Sequence, residues 1–157
     1  MADPAVDVVR HQLKHYLDTG VFMSLSEAEG RSGKKTFRFR WLLNREFALT
    51  VDPNKARLVA DSLLPEVENR SFIDKDLRRF IAGRAMAELP RHRRVDPAAA
   101  ALGYTNRKGA VSLHLQVLDG RVEYGLKALL RTINELFSYL QLSHIDYLHR
   151  NFGLPEE

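Results

Sequence analysis

The chain has 157 residues, 45% of them hydrophobic and none of them cysteine, with a formal net charge of +4 and a pI of about 9.5. That length suits one domain burying roughly 70% of its unfolded surface, and the lack of Cys excludes disulfide staples and thiolate chemistry. No apolar run approaches the ~20 residues a bilayer requires, and the start Met1-Ala2-Asp3-Pro4 is not a basic region followed by an apolar one, so the reading is a soluble, cytoplasmic protein.

Asp3-Pro4 followed by Val6, Val9, Leu13, Tyr16 and Leu17 predicts an N-terminal helix that Gly20 ends, with Pro4 suited to its first turn. Val21 to Leu25 suits a short strand, and Glu29-Gly30-Arg31-Ser32-Gly33 reads as a turn. Phe37, Phe39 and Trp41 then alternate with Arg38 and Arg40, and after Asn44-Arg45 the chain resumes with Phe47, Leu49 and Val51, which predicts a hairpin with one apolar face. Ala56 to Leu64 fits a third strand, with a helix after Asp52-Pro53 as the competitor, because short apolar runs do not separate the two by period.

Ser71 with Asp74 introduces a helix from about Asp74 to Ala87 that buries Leu77, Phe80 and Ile81 before Pro90. Ala101 to Thr105 and Val111 to Leu118 pair around Asn106-Arg107-Lys108-Gly109. From Val122 the apolar residues Leu126, Leu129, Leu130, Ile133, Leu136, Phe137 and Leu140 mark one face of a long helix. Its opposite face, Glu123, Lys127, Arg131 and Glu135, reads as solvated, with one-turn pairs Glu123 to Lys127 and Arg131 to Glu135. Ser143 with Asp146 reads as the cap of a last helix that buries Ile145, Leu148 and Phe152 and stops at Phe152-Gly153-Leu154-Pro155.

The order is helix, three strands, helix, two strands and C-terminal helices. It predicts a single α+β domain over residues 1–157: an antiparallel sheet of about five strands with an N-terminal helix, a central helix and C-terminal helices packed on one face. This order and size resemble the type III secretion chaperones and related Tir-chaperone-like bacterial proteins. The Ile133-Asn134-Glu135-Leu136-Phe137 run and the Phe152-Gly153-Leu154 ending also look like those of bacterial proteins of unknown function. The resemblance is one of topology, without a matching residue motif, and implies a homodimer that binds an extended or partly folded protein segment. Such chaperones are typically acidic, whereas this chain is basic.

The charge is concentrated. Between Asn69 and Arg94 lie eight basic residues (Arg70, Lys75, Arg78, Arg79, Arg84, Arg91, Arg93, Arg94) and three acids (Asp74, Asp76, Glu88), a local +5 that leaves −1 elsewhere. Arg78, Arg79, Arg84, Arg91, Arg93 and Arg94 are therefore the candidate ligand-binding residues, since guanidinium groups fork onto phosphates and carboxylates alike. Aromatic residues are not interleaved beside Arg91-His92-Arg93-Arg94, so nucleic acid is the second partner class after protein.

Catalytic and cofactor chemistry finds no motif. Asp7, His11, His15 and Asp18 share a stripe roughly 80° wide on the first helix, with His at i and i+4, but the stripe lies opposite Val6, Val9 and Leu13 and reads as a solvated face. His114 sits beside Gln116 on a strand face with no nucleophile assignable to it, and the glycines at 30, 33 and 103 make no phosphate loop. The sequence points to a non-enzymatic protein-binding domain without cofactor or metal.

Overall fold

The computed structural model describes residues 4–153. In chain order the elements are α1 (Pro4–Asp18), β1 (Ser24–Glu29), β2 (Lys35–Arg40), β3 (Glu46–Asp52), β4 (Arg57–Leu64), α2 (Phe72–Ala82), β5 (Ala100–Arg107), β6 (Ala110–Val117), α3 (Val122–Ser143) and α4 (Ile145–Phe152). The strands form one antiparallel sheet in the order β1-β2-β3-β4-β6-β5, an α+β fold. No helix among the described residues is long and apolar enough to cross a membrane.

Residues directly opposite across an antiparallel ladder share a face. The pairs Phe37↔Leu49, Leu49↔Ala60, Ala60↔Leu113 and Leu58↔Leu115 therefore carry one apolar face across the four middle strands, and all of these residues are buried. The buried side of α1 (Val6, Val9, Leu13) and the broad buried side of α3 (Leu126, Leu129, Ile133, Leu136, Leu140) complete a single core with them. Phe22, stacked on Phe39 at 4.3 Å, joins Trp41 and Phe47 in an aromatic corner that Phe137 closes from α3.

The sheet has six strands, not about five. The segment expected at Val21–Leu25 begins its pairing only at Ser24 and runs on to Glu29, because Val21 and Phe22 are turned back onto α1, both donating their N–H to the carbonyl of Tyr16. β1 has no apolar alternation to announce it; its ladder with β2 defines it. The third-strand reading of Ala56–Leu64 holds as β4, with a register shift between Ala60 and Leu64 where Ser62 takes φ +48° and donates its N–H to Ser112 Oγ at 2.9 Å.

The helices depart from expectation at their ends. α2 starts at Phe72, directly after its cap Ser71, whose hydroxyl accepts from Asp74 N–H, and it ends at Ala82, giving way to a 3₁₀ turn at Gly83–Ala85 instead of continuing to Ala87. Ser143 is the last residue of α3 and caps nothing; His144 stands at the junction, and its side chain turns to Asp76. In α4 Tyr147 and Leu148 are buried while Ile145 is exposed. Gly153 ends α4 at φ +62°, in the left-handed region; Leu154 and Pro155, expected to complete that stop, and Asp3 lie outside the described residues. The β5–β6 turn is tighter than the four residues expected: Lys108 and Gly109 alone connect the strands, at φ +52° and +93°, where glycine is the residue with least strain.

Candidate interaction surfaces

The basic segment does not form one patch. Arg78 lies over the Tyr104 ring, its guanidinium carbon 4.7 Å from the centroid, with its Nε 3.5 Å from Asp74 Oδ2. Arg84 is buried: it pairs with Glu135 at 2.5 Å and covers the Phe80 ring at 4.0 Å. Arg93 reaches the other oxygen of Glu135 at 3.3 Å. The carbonyl of the partly buried Arg94 accepts from Arg131 Nη2 at 3.2 Å, while Arg79 and Arg91 are exposed.

Glu135 therefore gathers Arg84 and Arg93, and the one-turn pair expected between Arg131 and Glu135 does not form. The residues after α2 fold over this part of α3 and cover a face that reads as solvated from its charges. The pair Lys127–Glu123 does form, at 3.0 Å. Of the six candidate arginines, the structure brings Arg84, Arg93 and Arg94 against α3, points Arg78 at β5, and leaves Arg79 and Arg91 to solvent.

Two carboxylates on α2 fix it in place. Asp74 is buried and accepts from Tyr104 Oη at 2.8 Å, Asn106 Nδ2 at 3.0 Å and Arg70 N–H at 2.9 Å. Burial opposes its ionisation, but these donors outweigh burial and hold its carboxyl below the ordinary value. Asp76 has the same balance, with Tyr139 Oη and His144 Nε2 each 2.7 Å from Oδ2. Sequence reasoning assigned these acids only to charge and capping, because their partners lie some thirty to seventy residues away. Burial and the Asp74 bond push the Tyr104 hydroxyl up. Both clusters are fully engaged in holding α2 to β5, α3 and the α3–α4 junction.

The sheet face away from the helices is uncovered and polar. Thr36 and Thr50 share a hydroxyl contact at 3.1 Å, and Thr50 donates to Asp61 at 2.8 Å, forming a chain across β2, β3 and β4. Further along, His114 lies flat on Gly103 of β5: a Cβ built there would stand 2.1 Å from His114 Nε2, so the glycine makes room for the ring. Burial, then the Arg57 charge, lowers the His114 pKa.

Asp7, His11, His15 and Asp18 are exposed along α1, with Asp7 bonded to Arg10 at 2.7 Å. Among the described residues no three His, Cys, Asp or Glu side chains converge on a metal position. Exposed large apolar side chains cluster at two places instead. Phe72 (80% exposed) opens α2, and Leu142 (87%) and Ile145 (40%) flank the α3–α4 junction, where Phe72 lies 6.0 Å from the His144 ring; Val21 and Met23 follow α1. No family model matches this chain, and no curated protein matches it in sequence.

Proposed function

We propose that this is a non-enzymatic protein-binding domain that works as a homodimer, in line with the resemblance of its element order to secretion chaperones. The observation that carries the reading is the apolar corner of Phe72, Leu142 and Ile145. Two apolar side chains more than three-quarters exposed and a third partly exposed, all near the α3–α4 junction, are the kind of exposed apolar surface that marks a protein contact. The corner is also firmly held: Asp76 fixes His144 and Tyr139 behind it, so its side chains are presented on a rigid base, as an interface anchor requires.

A second copy is the occupant proposed for this corner, and the uncovered sheet face with the neighbouring helices is left for a protein client. The nucleic-acid reading of Arg78, Arg79, Arg84, Arg91, Arg93 and Arg94 draws less support, since Arg84 and Arg93 are engaged by Glu135. The test is light scattering of the purified chain across a concentration series. The expected mass is that of a dimer, falling to the monomer in Phe72→Ala/Leu142→Ala with the circular dichroism spectrum unchanged. A wild-type monomer at every concentration overturns the dimer.

A further inference from the structure

Between α1 and the N-terminal half of α3 runs a groove with two lobes that share Lys127. The first, of about 660 Å³, is lined by Pro4, Val8, Arg121 and Tyr124 among others. The second, of about 260 Å³, has an apolar wall of Tyr16, Phe22, Trp41 and Leu130 and a polar rim that includes Arg131 and Asn134. Apolar surface is left open along this line. Val8 and Val21, which line the lobes, are 37% and 45% exposed. α1 buries Val6, Val9 and Leu13 in the core, against which Tyr16 packs, and Val8 stands outside that face and lines the first lobe.

Among the described residues that line the groove, cations outnumber acids. Lys127 and Arg131 stand one turn apart on α3, and Arg121 precedes them. Glu123, the one carboxylate lining these lobes among the described residues, is matched by Lys127 at 3.0 Å, and Asp96 stands 4.0 Å from Arg121. Arg131 in turn donates to the carbonyl of Arg94, which brings the Arg91–Arg94 segment beside the groove, with Arg93 engaged by Glu135.

We propose that this groove binds an acidic, amphipathic segment of a partner protein. An apolar side chain of the segment enters the lobe walled by Trp41 and Leu130, and its carboxylates meet Lys127, Arg131 and the arginines beyond. The proposal rests on the protein-binding reading above and adds the chemistry of the client. Complementary charge would steer and orient the segment, while the apolar anchor supplies the burial. A nucleic-acid strand would satisfy the cations but leave Val8, Val21 and the lobe wall uncovered, so the protein segment is the better match.

Trp41 is the chain's single tryptophan, so its fluorescence reports directly on the second lobe. The experiment pans a display library of random peptides on the full-length protein, then titrates the enriched peptides while following Trp41 emission. The expected peptides combine Leu, Ile or Phe with several Asp or Glu, shift the emission, and bind at least tenfold more weakly to Lys127→Glu/Arg131→Glu and to Val21→Glu. Circular dichroism confirms that each variant is folded.

Enriched peptides that are basic, or that bind both variants as well as wild type, overturn the groove assignment. So does a failure to enrich any peptide. A shift of Trp41 emission by a mixed-sequence oligonucleotide in the absence of peptide binding assigns the cations to nucleic acid and also overturns it. The light-scattering result at the Phe72 corner is independent of these outcomes, so a dimer without peptide binding removes the groove and leaves the protein-binding reading standing.

Discussion

The two edges of the sheet are guarded by different physics. An edge strand presents unpaired peptide groups that can template association with another chain. At β1 the protection is charge: Glu27 and Glu29 lie along the strand, Arg10 of α1 grips Glu27 through two bonds of 2.8 Å, and Lys35 reaches both acids. At β5 the only charge is Arg107, at the end of the strand, and Ala100 to Asn106 carry none. Its protection is a helix, α2, tied to it by the bonds from Tyr104 and Asn106 to Asp74. One carboxylate is ionised beside guanidinium and ammonium groups near solvent, and the other is buried among the Tyr104, Asn106 and Arg70 donors with the Arg78 guanidinium at its outer side. The first guard is local and screenable, and the second depends on a single buried residue.

The largest effect should come from removing that residue. Asp74→Ala strands the Tyr104 hydroxyl and the Arg70 N–H and leaves the Asn106 amide only its bond to the Val67 carbonyl, and is expected to cost about 3 kcal/mol, lowering Tm by roughly 6–12 °C in a domain of this size. Because it frees α2 from β5, the variant should also aggregate through the β5 edge, which light scattering during heating would detect. A variant as stable as wild type would show that packing alone holds α2. The acid limb of stability sharpens the point. The folded-state pKa of Asp74 is depressed, so its stabilisation is present above the unfolded carboxylate value of about 3.9 and is lost as pH falls through the lower folded value. Asp74→Asn should flatten that loss in acid unfolding curves.

A middle-sized effect is expected inside the β5 edge itself. Gly103→Ala puts a Cβ into the space of the His114 ring, and displacing the ring should cost about 1–2 kcal/mol by denaturant titration. His114→Ala should restore most of that loss, and a double-mutant cycle measures the recovery. Additive losses would mean that the strand, not the ring, resists the methyl group.

The smallest effect belongs to the charged edge. Arg10 holds the Glu27 carboxyl down at about 2, mainly through its side-chain hydrogen bonds, but the pair is partly solvent-exposed. Arg10→Ala should therefore cost only about 0.5–1 kcal/mol, and the cost should shrink in high salt. The Asp74 loss should change less with salt, because its bonds from Tyr104, Asn106 and Arg70 are sheltered and only the Arg78 contact reaches solvent. Equal salt sensitivity at both edges would break the comparison.

The covered face of the sheet was legible because burial on one side imposes a period: Phe37, Phe39, Phe47, Leu49, Val51, Val111, Leu113 and Leu115 alternate as read. β1 was only partly legible, since an edge strand with polar residues on both sides has no such period. The arginine segment misled for a related reason. A run of charge says nothing about which members find a buried partner, and Arg84 is matched by Glu135 on a helix fifty-one residues away. Asp74 and Asp76 were visible only as helix-start acids, their other partners being set by tertiary packing. The α1–α3 groove was invisible for the same reason, although Lys127 and Arg131 read as outward positions on their helix.

The strand order also sets an order of assembly. β1 to β4 follow one another through short turns, whereas β6 must reach back to β4 across α2 and the whole basic segment, from Leu64 to Val111. Closing that loop costs about 2 kcal/mol more chain entropy than closing the β2–β3 hairpin. The four-strand meander should thus gain hydrogen-exchange protection first in refolding, with β5 and β6 protected only when α2 and α3 dock. Truncating Leu113 should then speed unfolding while leaving the folding rate nearly unchanged, whereas truncating Phe39 should slow folding.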